Sequence, residues 1–259
     1  MPPALTQDEY ALHLPPAAGG LDQDEEWCEI EVGGDRRRIR FHDYADIYGI
    51  PGLYEQLFAK RLECNSPQVV SELLRDELED SGVDVGGVRA LDFGAGNGMV
   101  GEELLEIGVG EIVGVDLLEE ARDAALRDRP GIYDDYHALD MTDLDDAARG
   151  ELDGRDFDCM TCVAALGFGD VPPQAFAEAF NFVSAPGWIA FNIREHFLDD
   201  EDASGFSRLI ARMLREGAVE ERVRMRYRHR LSLSGEPLHY LAVVAAKHGD
   251  IPMEWADAA

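Results

Sequence analysis

One stretch constrains this chain of 259 residues more than any other: residues 88–104, Val-Arg-Ala-Leu-Asp-Phe-Gly-Ala-Gly-Asn-Gly-Met-Val-Gly-Glu-Glu-Leu. Its apolar start reads as a buried strand, its glycines as a tight turn and its end as the opening of a helix. A strand, a glycine turn and a helix in that order make a cradle for a nucleotide. Asp92 stands two residues before the first glycine. Its carboxylate is an awkward neighbour for a pyrophosphate and a good one for a cation.

Two glycine patterns overlap here. Gly96, Gly98 and Gly101 match the G-x-G-x-x-G dinucleotide fingerprint, whereas Gly94, Gly96 and Gly98 match acidic-x-G-x-G-x-G. In the dinucleotide reading the helix start receives a phosphate, so the local field should be positive. Asp92, Glu102 and Glu103 surround the turn, and no Lys or Arg lies between Asp92 and Glu103. Repulsion at such distances is on the order of a few kcal/mol at an effective dielectric near 20. A ligand bearing an ammonium and a sulfonium, and no phosphate, suits the loop better.

S-adenosylmethionine (SAM) is such a ligand, and over roughly residues 41–247 the chain resembles the class I SAM-dependent methyltransferases. After the turn comes Glu-Ile-Val-Gly-Val-Asp at 111–116, a hydrophobic strand ending in an acid. A carboxylate at Asp116 can accept from both ribose hydroxyls, a feature shared with dinucleotide sites. Tyr-His-Ala-Leu-Asp-Met follows at 136–141, and the resemblance implies Asp140 as the adenine contact with Met141 as its apolar neighbour. Residues 157–163 resemble the fourth strand and 186–192 the turn and fifth strand. The cofactor residues so implied are Asp92, Gly94, Ala95, Gly96, Gly98, Asp116, Leu117, Asp140, Met141, Cys162 and Tyr48.

Strands alternate with helical patterns at 99–107, 118–127, 173–182 and 201–216, the rhythm of a doubly wound sheet. From residue 222 the character changes. Arg222, Arg224, Arg226, Arg228 and Arg230 alternate with Val223, Met225, Tyr227 and His229, a period of two that predicts a strand. Ser234-Gly235-Glu236-Pro237 makes a turn, and residues 239–246 return as a second strand. The expected fold is therefore α/β and Rossmann-like, mostly parallel, closed by the C-terminal antiparallel hairpin of the methyltransferase type. The arginine face reads either as a site for a carboxylate or phosphate, or as a solvated face neutralising nearby acids.

The expected organisation is an acidic flexible segment at 1–25, a hairpin and helical lid at 26–85, the SAM-binding domain at 86–249 and a tail at 250–259. Residues 27–41 read as the hairpin, with Arg36–Arg38 either a basic patch for an acidic partner or, the commoner case, a solvated edge balancing nearby acids. His42, Tyr44, Tyr48 and Tyr54 follow in a segment that resembles the tyrosine-rich part folding over the SAM pocket in small-molecule methyltransferases. Phenols offer apolar area with a polar handle, which suits a cofactor lid and equally suits core packing. Ser66-Pro67 then opens a capped helix.

The charge balance bounds the partners. There are 53 acids against 23 Lys plus Arg, a formal charge of −30, and only two of the basic residues, Lys60 and Lys247, are lysines. Such a surface repels phosphate backbones, which argues against nucleic acid as substrate. It also repels itself most at low ionic strength, as in a halophile; a GC-rich genome accounts equally well for the arginine skew. No apolar run reaches the length of a membrane span, and the N-terminus lacks the features of a signal peptide, so cytoplasmic residence is the default. Nothing in the sequence sets an oligomeric state.

Cys159 and Cys162 form a C-x-x-C pair, but inside a strand positions three apart face opposite sides, so buried thiols are expected and no metal site is read. Methyl transfer is a displacement at carbon in which alignment does much of the work and a general base is optional. The loop Ala164-Ala165-Leu166-Gly167-Phe168-Gly169-Asp170 lacks the Asn-Pro-Pro-Tyr sequence of enzymes that methylate bases and glutamine, and its apolar character points to a small acceptor. His196, after the fifth strand, and Tyr48 are the candidate catalytic residues. Three functions stay open: a small-molecule methyltransferase, an NAD(P)-dependent oxidoreductase using the overlapping fingerprint, and a non-catalytic SAM-binding regulator.

Overall fold

In the computed structural model the described residues are 10–15, 23–167, 169–195 and 204–257. The chain opens with a small antiparallel sheet, β1 (Leu12–His13), β2 (Trp27–Val32) and β3 (Asp35–Arg40), in the order β1-β2-β3. Helix α1 (Tyr44–Tyr48), a π-helical stretch Glu55–Arg61 and the long helix α2 (Ser66–Asp80) lead into the main body. The body contains strands β4 (Arg89–Phe93), β5 (Glu111–Asp116), β6 (Asp135–Ala138), β7 (Phe157–Cys162), β8 (Val183–Arg194), β9 (Val219–Leu231) and β10 (Pro237–Lys247). Between and after them run helices α3 (Met99–Glu106), α4 (Glu119–Asp128), α5 (Asp146–Asp153), α6 (Pro173–Asn181), α7 (Phe206–Arg215) and α8 (Glu254–Asp257).

The seven strands pair in the order β6-β5-β4-β7-β8-β10-β9. The first five are parallel, and β10 runs antiparallel to both of its neighbours. This is the expected doubly wound sheet with its C-terminal hairpin. The direction of winding reverses between β4 and β7, so the loops leaving their carboxyl ends diverge and open a crevice.

Both faces of the sheet are covered. Phe157, Met160 and Cys162 of β7 join Phe176 and Phe180 of α6 and Leu209 and Met213 of α7 on one face. Cys159 joins Val70 and Leu74 of α2 and Leu104 of α3 on the other. The two thiols of the C-x-x-C pair are thus buried on opposite sides and unlinked, as strand alternation requires.

The amino-terminal sheet has its own apolar centre, built from Ile30, Ile39, Phe41, Leu53 and Leu57. It docks on the C-terminal hairpin. Glu26 and Arg230 form a buried ion pair, and Leu231 donates its backbone N–H to Leu62 at 2.7 Å. Arg230 reaches inward because the register of β9 shifts against β10 at Leu238/His239, which turns both His229 and Arg230 into the protein. The remaining arginines of the alternating run are solvated and paired: Arg222 with Glu77, Arg224 with Glu221, Arg226 with Glu195 and Arg228 with Glu63. Arg36, Arg37 and Arg38 likewise pair with Glu29, Glu31 and Asp46.

The structure departs from the sequence reading at four points. Within the segment 1–25, Leu12–His13 is a strand on β2, and Tyr10 exchanges two hydrogen bonds with the Gln56 side chain at 2.9 and 2.7 Å. Helix α5 has no counterpart in the sequence reading; it is short, carries Gly150, and is started by the Asp145 carboxylate accepting from Ala148 N. Strand β8 begins at Val183, earlier than the expected residue 186, and α7 begins at Phe206 among the described residues. No helix among the described residues is long and apolar enough to cross a membrane.

Candidate active site

A cavity of about 630 Å³ opens at the crevice between β4 and β7. That is the size range of small-molecule sites. Its floor is the glycine turn with the ends of β4, β5 and β6; its roof is the segment from His42 to Cys64.

At the floor, Gly94, Ala95, Gly96 and Asn97 lie against the space. Gly96 adopts φ +55°, and a Cβ there would stand 2.5 Å from Tyr48 Oη. The roof therefore closes onto the turn only where no side chain exists. Gly101, the last glycine of the dinucleotide fingerprint, has a different duty. A Cβ on it would meet Tyr133 Cζ at 2.6 Å, so this glycine lets Tyr133 cross the start of α3. Tyr133 then donates to Asp92 at 2.7 Å. The fingerprint spacing here serves ring packing rather than a phosphate.

Asp116 ends β5 with Oδ2 accepting from Gly96 N at 2.9 Å and Oδ1 from Leu118 N at 3.0 Å. Burial pushes its carboxyl upward and the backbone N–H groups oppose that shift. A carboxylate has about four acceptor positions, so two remain for hydroxyls of a ligand. Asp140 lies exposed at the rim, its carboxyl held below the usual range by the Thr142 hydroxyl and backbone N–H. Met141 is buried beside it, and Leu117, 60 % exposed, forms an apolar lip.

The roof is a run of rings. Tyr44 stacks on Tyr48 at 6.0 Å, Tyr48 on Tyr54 at 5.2 Å, and Tyr54 leans on Phe58 at 4.7 Å. Tyr48 also packs on Ala121 and Ala124 of α4. The tyrosine segment thus packs on the body and also lines the cavity.

Five aspartates line the space, Asp43, Asp46, Asp116, Asp140 and Asp170, and among the described lining residues there is no Lys or Arg. A pyrophosphate would meet only negative charge; a sulfonium and an ammonium would be stabilised. Asn97, 1 % exposed, holds its amide nitrogen without a partner among the described residues, a donor ready for a ligand carboxylate. Carboxylate acceptors, an apolar lip and an unpaired amide fit the ribose, adenine and methionine ends of SAM.

Other expected cofactor residues stand back from the lining. Asp92 is 1 % exposed behind the turn, its oxygens taken by Tyr133 and by the Thr161 hydroxyl at 2.8 Å, and burial lifts its carboxyl to about 6. Gly98 starts α3 with φ +88° and packs on Tyr133. Cys162 faces the core, and Val163, Ala164 and Ala165 form that wall instead. His196 and Phe168 lie outside the described residues. Asp135, His137 and Glu151 approach one another elsewhere, with Asp135 ion-paired to Arg155.

Several residues escaped the sequence reading. Arg129, buried after α4, pairs with Glu55 of the roof and Glu102 of α3, and donates to the Asn97 carbonyl at 3.1 Å. No arginine adjoins the turn in sequence; this one arrives from 32 residues away. A buried chain of hydrogen bonds runs from Ala164 N to Asn192, then Tyr227, Ser66 and His229, each at 2.6 Å. Burial and neighbouring Arg230 push His229 down to about 3, so its ring is neutral. The alternation around Tyr227 predicted a strand there and carried no signal for this network. Finally, His42 Nδ1 and Asp170 Oδ2 meet at 2.8 Å on the cavity wall.

Residues 54–234 match the family described as a methyltransferase domain. The ubiquinone biosynthesis O-methyltransferase of Burkholderia vietnamiensis is 30% identical over 115 residues, 44% of this chain and 47% of that protein. Its namesake from Thiobacillus denitrificans is 29% identical over 124 residues, covering 46% and 50%. The chain thus spans about half the length of the curated relatives it matches. Among solved structures, an S-adenosylmethionine-dependent methyltransferase from Clostridium acetobutylicum superposes with a TM-score of 0.52 at 14% identity, over 76% of this chain and 97% of that one. At that identity the likeness concerns the fold.

Proposed function

The chain belongs to the methyltransferase-domain family, of the class I SAM-dependent type, and from that premise we propose that it transfers the methyl group of SAM to a small-molecule acceptor inside the crevice. The observation that carries this reading is the lining: five aspartates, a glycine turn with an unpaired Asn97 amide, and no described Lys or Arg. Bound there, SAM supplies a methyl group on a positively charged sulfur.

The residues have separate duties. Asp116 accepts from the ribose hydroxyls while Gly96 N and Leu118 N hold its carboxylate in place. Leu117 and Met141 would give the adenine apolar contact, and Asp140 would supply an acceptor for its amino group. Asn97 takes the methionine carboxylate, and the aspartates balance the ammonium and sulfonium. The aromatic roof excludes water and fixes the line of approach, which is where alignment lowers the barrier. The cavity volume supports a small acceptor, and the formal charge of −30 works against a polyanion. The curated relatives are named for a small molecule, ubiquinone.

Isothermal titration with SAM, S-adenosylhomocysteine (SAH) and NAD+ tests the reading. Micromolar binding of SAM and SAH with no NAD+ binding is expected; NAD+ binding of equal strength would overturn it. Transfer of labelled methyl from SAM to a panel of hydroxylated and aminated aromatics then separates an enzyme from a regulator that binds and does not turn over.

A further inference from the structure

We propose that His42 and Asp170 are the proton-accepting pair of this cavity and that its acceptor is an aromatic hydroxyl, which makes the reaction an O-methylation. The inference rests on the methyltransferase reading and deepens it.

The residues that fit the donor leave the carboxyl ends of β4, β5 and β6. His42 and Asp170 come from the other side of the switch point, one at the foot of the roof after β3, the other in the loop after β7. Folding joins them across 128 residues, and their side chains are 18% and 29% exposed. Both line the main cavity and also a recess of about 50 Å³ behind it. Tyr44 sets its ring edge-on to His42 at 5.6 Å, and Tyr54, Phe58, Val171 and Pro172 complete an apolar, flat-sided space. A planar ring fits such walls, and the pair is set among them with Asp43 beside it.

The chemistry follows from the hydrogen bond. An ionised carboxylate can only accept, so Nδ1–H donates to Asp170 and the neutral ring carries its lone pair at Nε2. As the acceptor oxygen bonds to the methyl carbon, the carbon–sulfur bond breaks with its electron pair going to sulfur. The hydroxyl proton passes to Nε2 and later to water. The positive charge lost from sulfur reappears on the imidazolium, which Asp170 stabilises. Products are the methyl ether and SAH, and all atoms and charges balance. A neutral amine attacks before it loses a proton and needs no such base; a hydroxyl does. Other groups facing the pair are Asp43 beside it, Cys64 and Tyr240 in the recess, the neutral His229, and Arg230, whose charge is matched by Glu26.

The probe is 4-nitrophenol, whose absorbance separates phenol from phenolate, added to the full chain saturated with SAH. Below the probe's own ionisation, binding should raise its phenolate fraction about tenfold. His42→Gln should abolish that rise and Asp170→Asn should reduce it severalfold, with SAH affinity by calorimetry within about twofold of wild type. Asp170→Asn, in an exposed loop, keeps the test alive should the His42 variant fold poorly. Failure of 4-nitrophenol to bind the SAH complex, binding without phenolate gain, or equal gain in both variants would overturn the pair. Failure of SAH to bind the wild type would overturn the methyltransferase reading itself.

Discussion

The floor of the cavity is made of backbone amides and carboxylates at the ends of buried strands, whereas its roof is made of rings, Tyr44, Tyr48, Tyr54 and Phe58, on short helical pieces. The floor offers directional groups, the Asp116 carboxylate fixed by Gly96 N and Leu118 N and the unpaired Asn97 amide, and hydrogen bonds to such groups are lost by a shift of an ångström. The roof recognises by area, which tolerates sliding. A donor identical in every turnover suits the first kind of wall, and an acceptor chosen for shape suits the second. The two walls meet at Arg129 and at the contact of Gly96 with Tyr48.

Cutting that joint should have the largest effect. Arg129→Met leaves Glu55, Glu102 and the Asn97 carbonyl without their cation. Breaking a buried pair costs about 3–5 kcal/mol, and because the Glu102 side chain is 49% exposed we expect about 2–3 kcal/mol here, read by urea denaturation. A loss below about 0.5 kcal/mol would mean that floor and roof are stable independently.

Gly96→Ala tests the second joint, where the turn meets Tyr48. The added methyl meets Tyr48 Oη and sits at positive φ, so SAH binding should weaken about 30-fold, some 2 kcal/mol, with stability changed less. If Tyr48→Phe combined with Gly96→Ala restores affinity, the contact between the walls is the cause rather than the turn's conformation.

The smallest effect is expected behind the floor. Folded Asp92 keeps its proton up to about pH 6, whereas its ordinary value is 3.8. Between those values the folded state binds more protons than the unfolded one, so this residue's contribution to stability is lost as pH rises from about 4 to 6. From pH 4 to pH 8 Asp92→Asn should therefore gain about 3 kcal/mol on the wild type. That gain is offset at every pH by about 2 kcal/mol for the Tyr133 or Thr161 hydroxyl that its amide leaves without an acceptor. The variant then exceeds the wild type by only about 1 kcal/mol at pH 8, a crossing measurable in thermal melts. A constant difference across that range would show that Asp92 carries no raised carboxyl.

Legibility differed between the walls for a physical reason. Strand β4, its glycine turn and α3 are contiguous, and their residue types follow from backbone geometry, so the stretch 88–104 could be read directly. Asp116 at the end of β5 was legible from the strand pattern and its spacing, Asp140 after β6 only through the family resemblance, and both reach the lining. Asp92 was seen as a residue of the site, yet its strand position turns it behind the turn toward Tyr133 and Thr161. Cys162 faces the core for the same reason of alternation. The strict alternation of arginines concealed a bulge, and with it the inward turn of His229 and Arg230.

By itself, then, the sequence determined the sheet, the turn and a crevice hostile to phosphate, because these depend on local periodicity, on glycine and on the near absence of nearby cations. Tertiary structure decided which acids face the cavity, brought Arg129 to the turn, and set His42 beside Asp170. Those pairings join residues 32 and 128 positions apart. No local pattern encodes them; they exist only once the packed sheet holds its loops in place.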